Sequence, residues 1–142
     1  MKEVNVIYWS STGNTQAMAE AVGAGVEEAG GKANVMEVSA ADVSMLKDTD
    51  SFALGASAMG DEELDAEMDD FVTAVEGICA GKTVGLFGSY DWGDGEWMRD
   101  WTDRMTSAGA SVVNGEGLIC HETPDEDGLS ECRELGIQLA NA

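Results

Sequence analysis

One stretch near the start of the chain restricts its fold more than any other. Val4, Val6, Ile7 and Tyr8 are apolar and β-favouring, as in a strand buried on both faces. Trp9 then leads into Ser10-Ser11-Thr12-Gly13-Asn14-Thr15, six small polar residues of which four carry hydroxyls and one is glycine. Gln16 to Val22 follow, rich in Ala, Met and Glu, with apolar positions at Met18, Ala21, Val22 and Val26 that fit one face of a helix. A strand covered on both sides belongs in a parallel sheet with helices above and below. A polar loop between such a strand and a helix aims backbone N–H groups and hydroxyls at one point, an arrangement that suits a phosphate.

The loop has no lysine or arginine. A nucleoside-triphosphate loop needs Gly-x-x-x-x-Gly-Lys-Ser/Thr, and a dinucleotide loop needs Gly-x-Gly-x-x-Gly. Neither is present. Neutral donors and the helix dipole suit a single phosphate, with about 0.3–1 kcal/mol from the dipole. The same residues also read as a hydroxyl-rich N-cap, with Thr12 or Asn14 capping the helix. Gly81-Lys82-Thr83 mimics the end of a triphosphate loop, but it precedes a strand and its spacing from Gly77 is too short. It reads as a turn.

Further along, strand and helix patterns alternate. The first helix is expected from about Asn14 to Ala29, stopped by Gly30-Gly31. Strands are expected over Asn34 to Val38, Ser51 to Ala56, Thr83 to Phe87 and Ser111 to Leu118. Ala40 to Leu46 reads as an irregular connection. Helices are expected from about Asp65 to Ile78 and Glu96 to Ala108, with a last one carrying Leu129, Leu135, Ile137 and Leu139. Ser57 to Glu63 and Ser89 to Gly95 read as loops. Five alternations without a linker or repeat indicate one doubly wound α/β domain over residues 1–142.

The 142 residues suffice to bury about two-thirds of the unfolded surface. The balance of 28 acids to 7 bases, a net charge of −21, argues against nucleic acid or an anionic membrane as partner. No apolar run approaches the roughly 18 residues of a membrane span. The first residues lead straight into a strand with no signal-peptide pattern, so a cytoplasmic location is expected. Cys79, Cys120 and Cys132 form no Cys-x-x-Cys and read as reduced, buried thiols. His121 lacks a metal-ligand pattern and reads as a solvated loop residue.

Ser10-x-Thr12-Gly13-Asn14-Thr15 after the first strand resembles the FMN-phosphate loop of flavodoxins. Ala58-Met59-Gly60-Asp61-Glu62 and Gly88-Ser89-Tyr90-Asp91-Trp92-Gly93-Asp94-Gly95-Glu96-Trp97 resemble the same family, in its short-chain form from anaerobes. The resemblance covers essentially the whole chain. It implies a five-stranded parallel sheet of order 2-1-3-4-5, with the loops after strands one, three and four opening together at the switch point.

The resemblance also implies a site for FMN. Ser10, Ser11, Thr12, Gly13, Asn14 and Thr15 would surround the phosphate, and Ser57 and Ser89 would lie near it or the ribityl chain. Met59 and Trp92 would sandwich the isoalloxazine, a reading that a soft thioether and an indole on glycine-flanked loops also support. Glu62 would accept from flavin N3–H, and the Gly60–Asp61 peptide would turn its carbonyl toward N5–H on reduction. Ala58 and Tyr90 flank these groups, and backbone N–H groups near Asp91, Gly93 and Gly95 would meet the ring's O2 edge. No catalytic residue and no metal is implied.

The expected function is a low-potential one-electron carrier. Phosphate and carboxylates disfavour the negative charge of full reduction, making the second electron strongly reducing. Asp91 departs from the family pattern, which has glycine there, and adds one more carboxylate. Asp61, Glu62, Glu63, Asp65, Glu67, Asp69 and Asp70 follow one loop, while Asp91, Asp94 and Glu96 belong to another. The expected partners are therefore basic patches on ferredoxin- or flavodoxin-dependent oxidoreductases, met by a monomer. Two other classes fit the sequence less well. An FMN-dependent NAD(P)H:quinone reductase would need an added substrate pocket, and a phospho-receiver domain would need an aspartate where Ala56-Ser57-Ala58 stands.

Overall fold

A computed structural model describes residues 2–11, 13–58, 63–91 and 93–142. β1 (Glu3–Trp9) leads to α1 (Asn14–Glu28), then β2 (Lys32–Glu37). Two short 3-10 turns, Val38–Ala40 and Val43–Leu46, lead to β3 (Ser51–Ala56). α2 (Ala66–Glu76), β4 (Thr83–Tyr90) and α3 (Glu96–Ser107) follow. The chain continues through β5 (Ser111–Val112), β6 (Leu118–His121) and α4 (Glu126–Ala140). Every strand pairing is parallel, in the order β2-β1-β3-β4-β5, with β6 also beside β4. This is the expected doubly wound order.

Side-chain alternation divides the core between the two faces of the sheet. Val4, Val6 and Tyr8 of β1 join Met18, Val22 and Val26 of α1 and Leu135 and Leu139 of α4. Ile7 of β1 lies on the other face with Met68, Val72 and Val75 of α2 and Trp97, Trp101 and Met105 of α3. β3, central in the sheet, is buried along its whole length. Gly55 leaves the space that Phe87 fills, since a Cβ there would lie 2.1 Å from the phenyl ring. α1 and α4 cross at backbone distance because Gly25 faces the Arg133 carbonyl and Gly136 faces the Val22 carbonyl.

Helix ends follow their local chemistry. Asp65 caps α2 by accepting from the N–H groups of Glu67 and Met68, and Asp125 caps α4 through Gly128 N–H. Gly30, at φ 89°, and Gly109, at φ 97°, end α1 and α3 in the left-handed conformation expected of such stops. Arg104 of α3 crosses to α2, donating to Asp69 Oδ1 at 2.6 Å and Glu76 Oε1 at 2.7 Å.

Three boundaries differ from the sequence reading. β2 begins at Lys32 and ends at Glu37. β4 runs on through Ser89 and Tyr90, which were read as loop. The fifth strand is interrupted: Val112 faces Val84 and Leu118 faces Phe87, so the intervening residues loop out. Asn114 and Gly115 turn there with φ of 64° and 76°, and Gly117 N–H donates to Thr102 Oγ1. Apolar content alone does not register such a bulge, because both halves of the strand still face the core.

Candidate functional site

The loops after β1, β3 and β4 meet at the carboxyl edge of the sheet, where order reverses around β1. Backbone hydrogen bonds join them: Ser57 N–H donates to the Trp9 carbonyl at 3.3 Å, and Ala58 N–H to the Ser89 carbonyl at 3.0 Å. Beneath them lies a buried hydroxyl tie. Thr15 Oγ1 and Ser57 Oγ are 2.8 Å apart, and Ser89 N–H donates to Thr15 Oγ1 at 3.2 Å. Thr15 is fully buried, with Ser57 and Ser89 nearly so. Ser11, Ser57, Ala58, Ser89, Tyr90 and Asp91 line the small cleft above.

α1 and α3 both start from a left-handed glycine cap, Gly13 and Gly95, each at φ 94° and with no side-chain cap bond. The first turn of α1 holds no acid. The first turns of α2, α3 and α4 carry Glu67 and Asp69, Glu96, and Glu126 and Asp127. Ser10 Oγ reaches across the loop, accepting from Gly13 N–H at 2.9 Å and Gln16 N–H at 3.4 Å. That holds the loop and leaves the N–H groups of Asn14 and Thr15 for another acceptor. Open space lies beside Gly13, with no atom within 4 Å of where its Cβ would be. A positive helix end kept free of carboxylates in a chain of net charge −21 fits a phosphate. Of the two residues read as N-caps, Asn14 is the first residue of α1, the cap position being Gly13, and Thr12 lies outside the described residues.

On the other side of the cleft, Gly93 and Gly95 both adopt left-handed φ, 89° and 94°. Asp91 does not, so an aspartate sits there without backbone strain. The Asp91 carbonyl meets His121 Nε2 at 2.9 Å; His121 is exposed, as expected, but it ends a strand and does not lie in a loop. It ends β6, opposite Tyr90, and its ring lies 5.1 Å from the Tyr90 ring. Glu122 adds two bonds, its N–H to the Tyr90 carbonyl and its carbonyl accepting from Ser89 Oγ, both 2.7 Å. Ending the fifth strand at Leu118 hid this clasp; the β-favouring run Leu118-Ile119-Cys120 was the signal for it.

Of the site residues expected from sequence, Ser10, Ser11, Gly13, Asn14, Thr15, Ser57, Ala58, Ser89, Tyr90, Asp91, Gly93 and Gly95 fall on these three loops or the strand ends that lead into them. Thr12, Met59, Gly60, Asp61, Glu62 and Trp92 lie outside the described residues. Among the described residues, no group of His, Cys, Asp and Glu is placed to hold a metal ion. The thiols of Cys79, Cys120 and Cys132 are unpaired. Burial pushes the Cys132 thiol up to about 12, helped by nearby Cys120 and Glu131. No helix of the described residues is long and apolar enough to cross a membrane.

Fold and loop together define a doubly wound α/β protein with an acid-free helix start at its switch point. A family model for flavodoxin matches residues 6–136. The flavodoxin of Clostridium beijerinckii is 43% identical over 139 residues, covering 97% of this chain and 99% of the relative. The solution structure of two-electron reduced Megasphaera elsdenii flavodoxin superposes with a TM-score of 0.87 at 42% identity, covering 98% of this chain and 99% of that one. A flavodoxin from the domain Archaea gives 0.88 at 30% identity, covering 99% and 97%. The chain belongs to the flavodoxin family. It is accordingly an electron carrier with non-covalently bound FMN, not an enzyme.

Proposed function

We propose that this chain is one flavodoxin-like domain, monomeric and cytoplasmic, that carries single electrons at low potential between redox enzymes. The observation that carries the reading is the uncapped, acid-free start of α1 beside Ser10 and Gly13. Asn14 and Thr15 N–H groups and the loop hydroxyls, including Thr12, bind the FMN phosphate. The Thr15–Ser57–Ser89 tie keeps the three loops in register with it. Met59 and Trp92 flank the ring, Glu62 accepts from N3–H, and the Gly60–Asp61 peptide serves N5; these assignments rest on the family resemblance.

Bound FMN supplies one-electron chemistry. The protein sets its energy and its encounters. Glu63, Asp65, Asp91, Asp94 and Glu96 border the same edge, so negative charge added to the cofactor meets carboxylates and the second electron is held weakly. Four cations are kept at the opposite edge. Lys2 precedes β1, Lys32 opens β2, and Lys82 precedes β4, where it donates to the carbonyls of Lys47 and Thr49. Near the loops, Arg99 is held by Asp94 at 2.9 Å. That distribution supports docking, cofactor edge first, on basic patches of ferredoxin- or flavodoxin-dependent oxidoreductases.

The direct test is titration of apoprotein with FMN. Stoichiometric uptake with quenched flavin fluorescence is expected, and the loaded protein alone should not oxidise NADH. Failure to take up FMN would refute the reading of the α1 loop.

A further inference from the structure

The clasp at the end of β6 continues the pairing with β4 and reaches the loop beyond it. His121 Nε2 contacts the Asp91 carbonyl, and since a carbonyl only accepts, Nε2 carries the hydrogen in this contact. Glu122 stays at φ 57°, an unfavourable conformation for a residue with a side chain, while its backbone bonds Tyr90 and Ser89. Strained backbone persists where surrounding contacts over-determine it. Here those contacts lead to Tyr90 and Asp91, which line the cleft with Ser11, Ser57, Ala58 and Ser89.

We infer that His121 is a positioning residue that sets the loop after β4 against the cofactor. The inference rests on the proposed FMN site at this edge. Nε2–H donates to the Asp91 carbonyl at 2.9 Å, and Glu122 Oε1 lies 3.5 Å from the same nitrogen. Tyr90, paired with His121 across β4 and β6, faces the imidazole with ring centroids 5.1 Å apart. The contact fixes the Asp91 peptide from the β6 side, next to the residues that line the cleft.

The test compares FMN dissociation constants of apoprotein carrying His121→Gln or His121→Phe with the parent chain. Glutamine keeps a neutral donor, so affinity should stay within about twofold of the parent. Phenylalanine removes the donor and should weaken binding by about fivefold. A His121→Gln variant that binds as weakly as His121→Phe, or a His121→Phe variant that binds like the parent, would overturn the inference while leaving the FMN site intact. A parent chain that binds no FMN would overturn both. Thermal unfolding of each apoprotein separates loss of the clasp from loss of the fold.

Discussion

Gly136→Ala tests how the face that carries the phosphate loop is built. A Cβ at Gly136 would lie 2.0 Å from the Val22 carbonyl oxygen and 2.8 Å from the Val26 nitrogen. Carbon and carbonyl oxygen approach to about 3.3 Å at best, so α1 and α4 would have to part by more than about 1 Å. Both obstacles are backbone, and no rotamer relieves them. Alanine gains about 1 kcal/mol in helix propensity over glycine. Overpacking between rigid elements costs about 1–3 kcal/mol, and this contact belongs at the upper end. The expected balance is a loss of about 2 kcal/mol, or about 6 °C in Tm for a chain of this size. Gly23→Ala is the internal comparison. Its Cβ would meet Val35 Cγ2 at 2.7 Å, but Val35 is 38% exposed and can turn aside. There the propensity gain should dominate, raising stability by about 0.5–1 kcal/mol. Circular dichroism melts of the two apoproteins decide the matter. If both substitutions move Tm in the same direction, or Gly136→Ala melts at or above the parent, the account of a glycine-dependent crossing is wrong.

Other expectations follow from the site and the core. Asp91→Gly should tighten FMN by about two- to fivefold and make the second one-electron couple less negative, by removing one screened carboxylate; equal potentials and equal affinity would refute this. Electron transfer to a basic partner should slow as salt rises, measured by stopped flow; rates indifferent to ionic strength would count against the docking edge. Because burial raises the Cys132 thiol from an ordinary value of 9.0 to about 12, the fold favours its neutral form. That contribution is complete below pH 9.0 and is lost as pH rises toward about 12, so denaturant midpoints should fall across this window. Alkylation under native conditions should reach Cys120 first and the buried Cys79 and Cys132 only on unfolding; simultaneous reaction of all three would be inconsistent with their burial.

Most of the architecture was legible because periodicity and punctuation agree. The apolar run of β3 matches its observed limits, and Gly30 and Gly109 stop helices where a left-handed residue is required. The loop between β1 and α1 was legible from its run of small polar residues ahead of a helical pattern. Ser89 and Tyr90 were misread as loop because their polarity resembles the glycine-rich turn beyond, whereas pairing with β6 keeps them extended. The bulge before β6 was invisible for a related reason. Local composition states which residues prefer a strand, and the partner's register decides how many of them fit. His121 shows the limit most clearly, since a lone histidine has no spacing rule and its partner is a carbonyl in the loop after β4.

The interrupted outer strand matters also for what surrounds the molecule. A parallel sheet ends in a row of unpaired amides, and an unbroken flat border would recruit a second chain. On one flank the detour through Asn114 and Gly115 breaks that row into two short pieces. On the other, Lys32 and Glu37 stand at the two ends of β2. The two borders of the sheet are thus guarded against a further strand by backbone geometry on one side and by charge on the other.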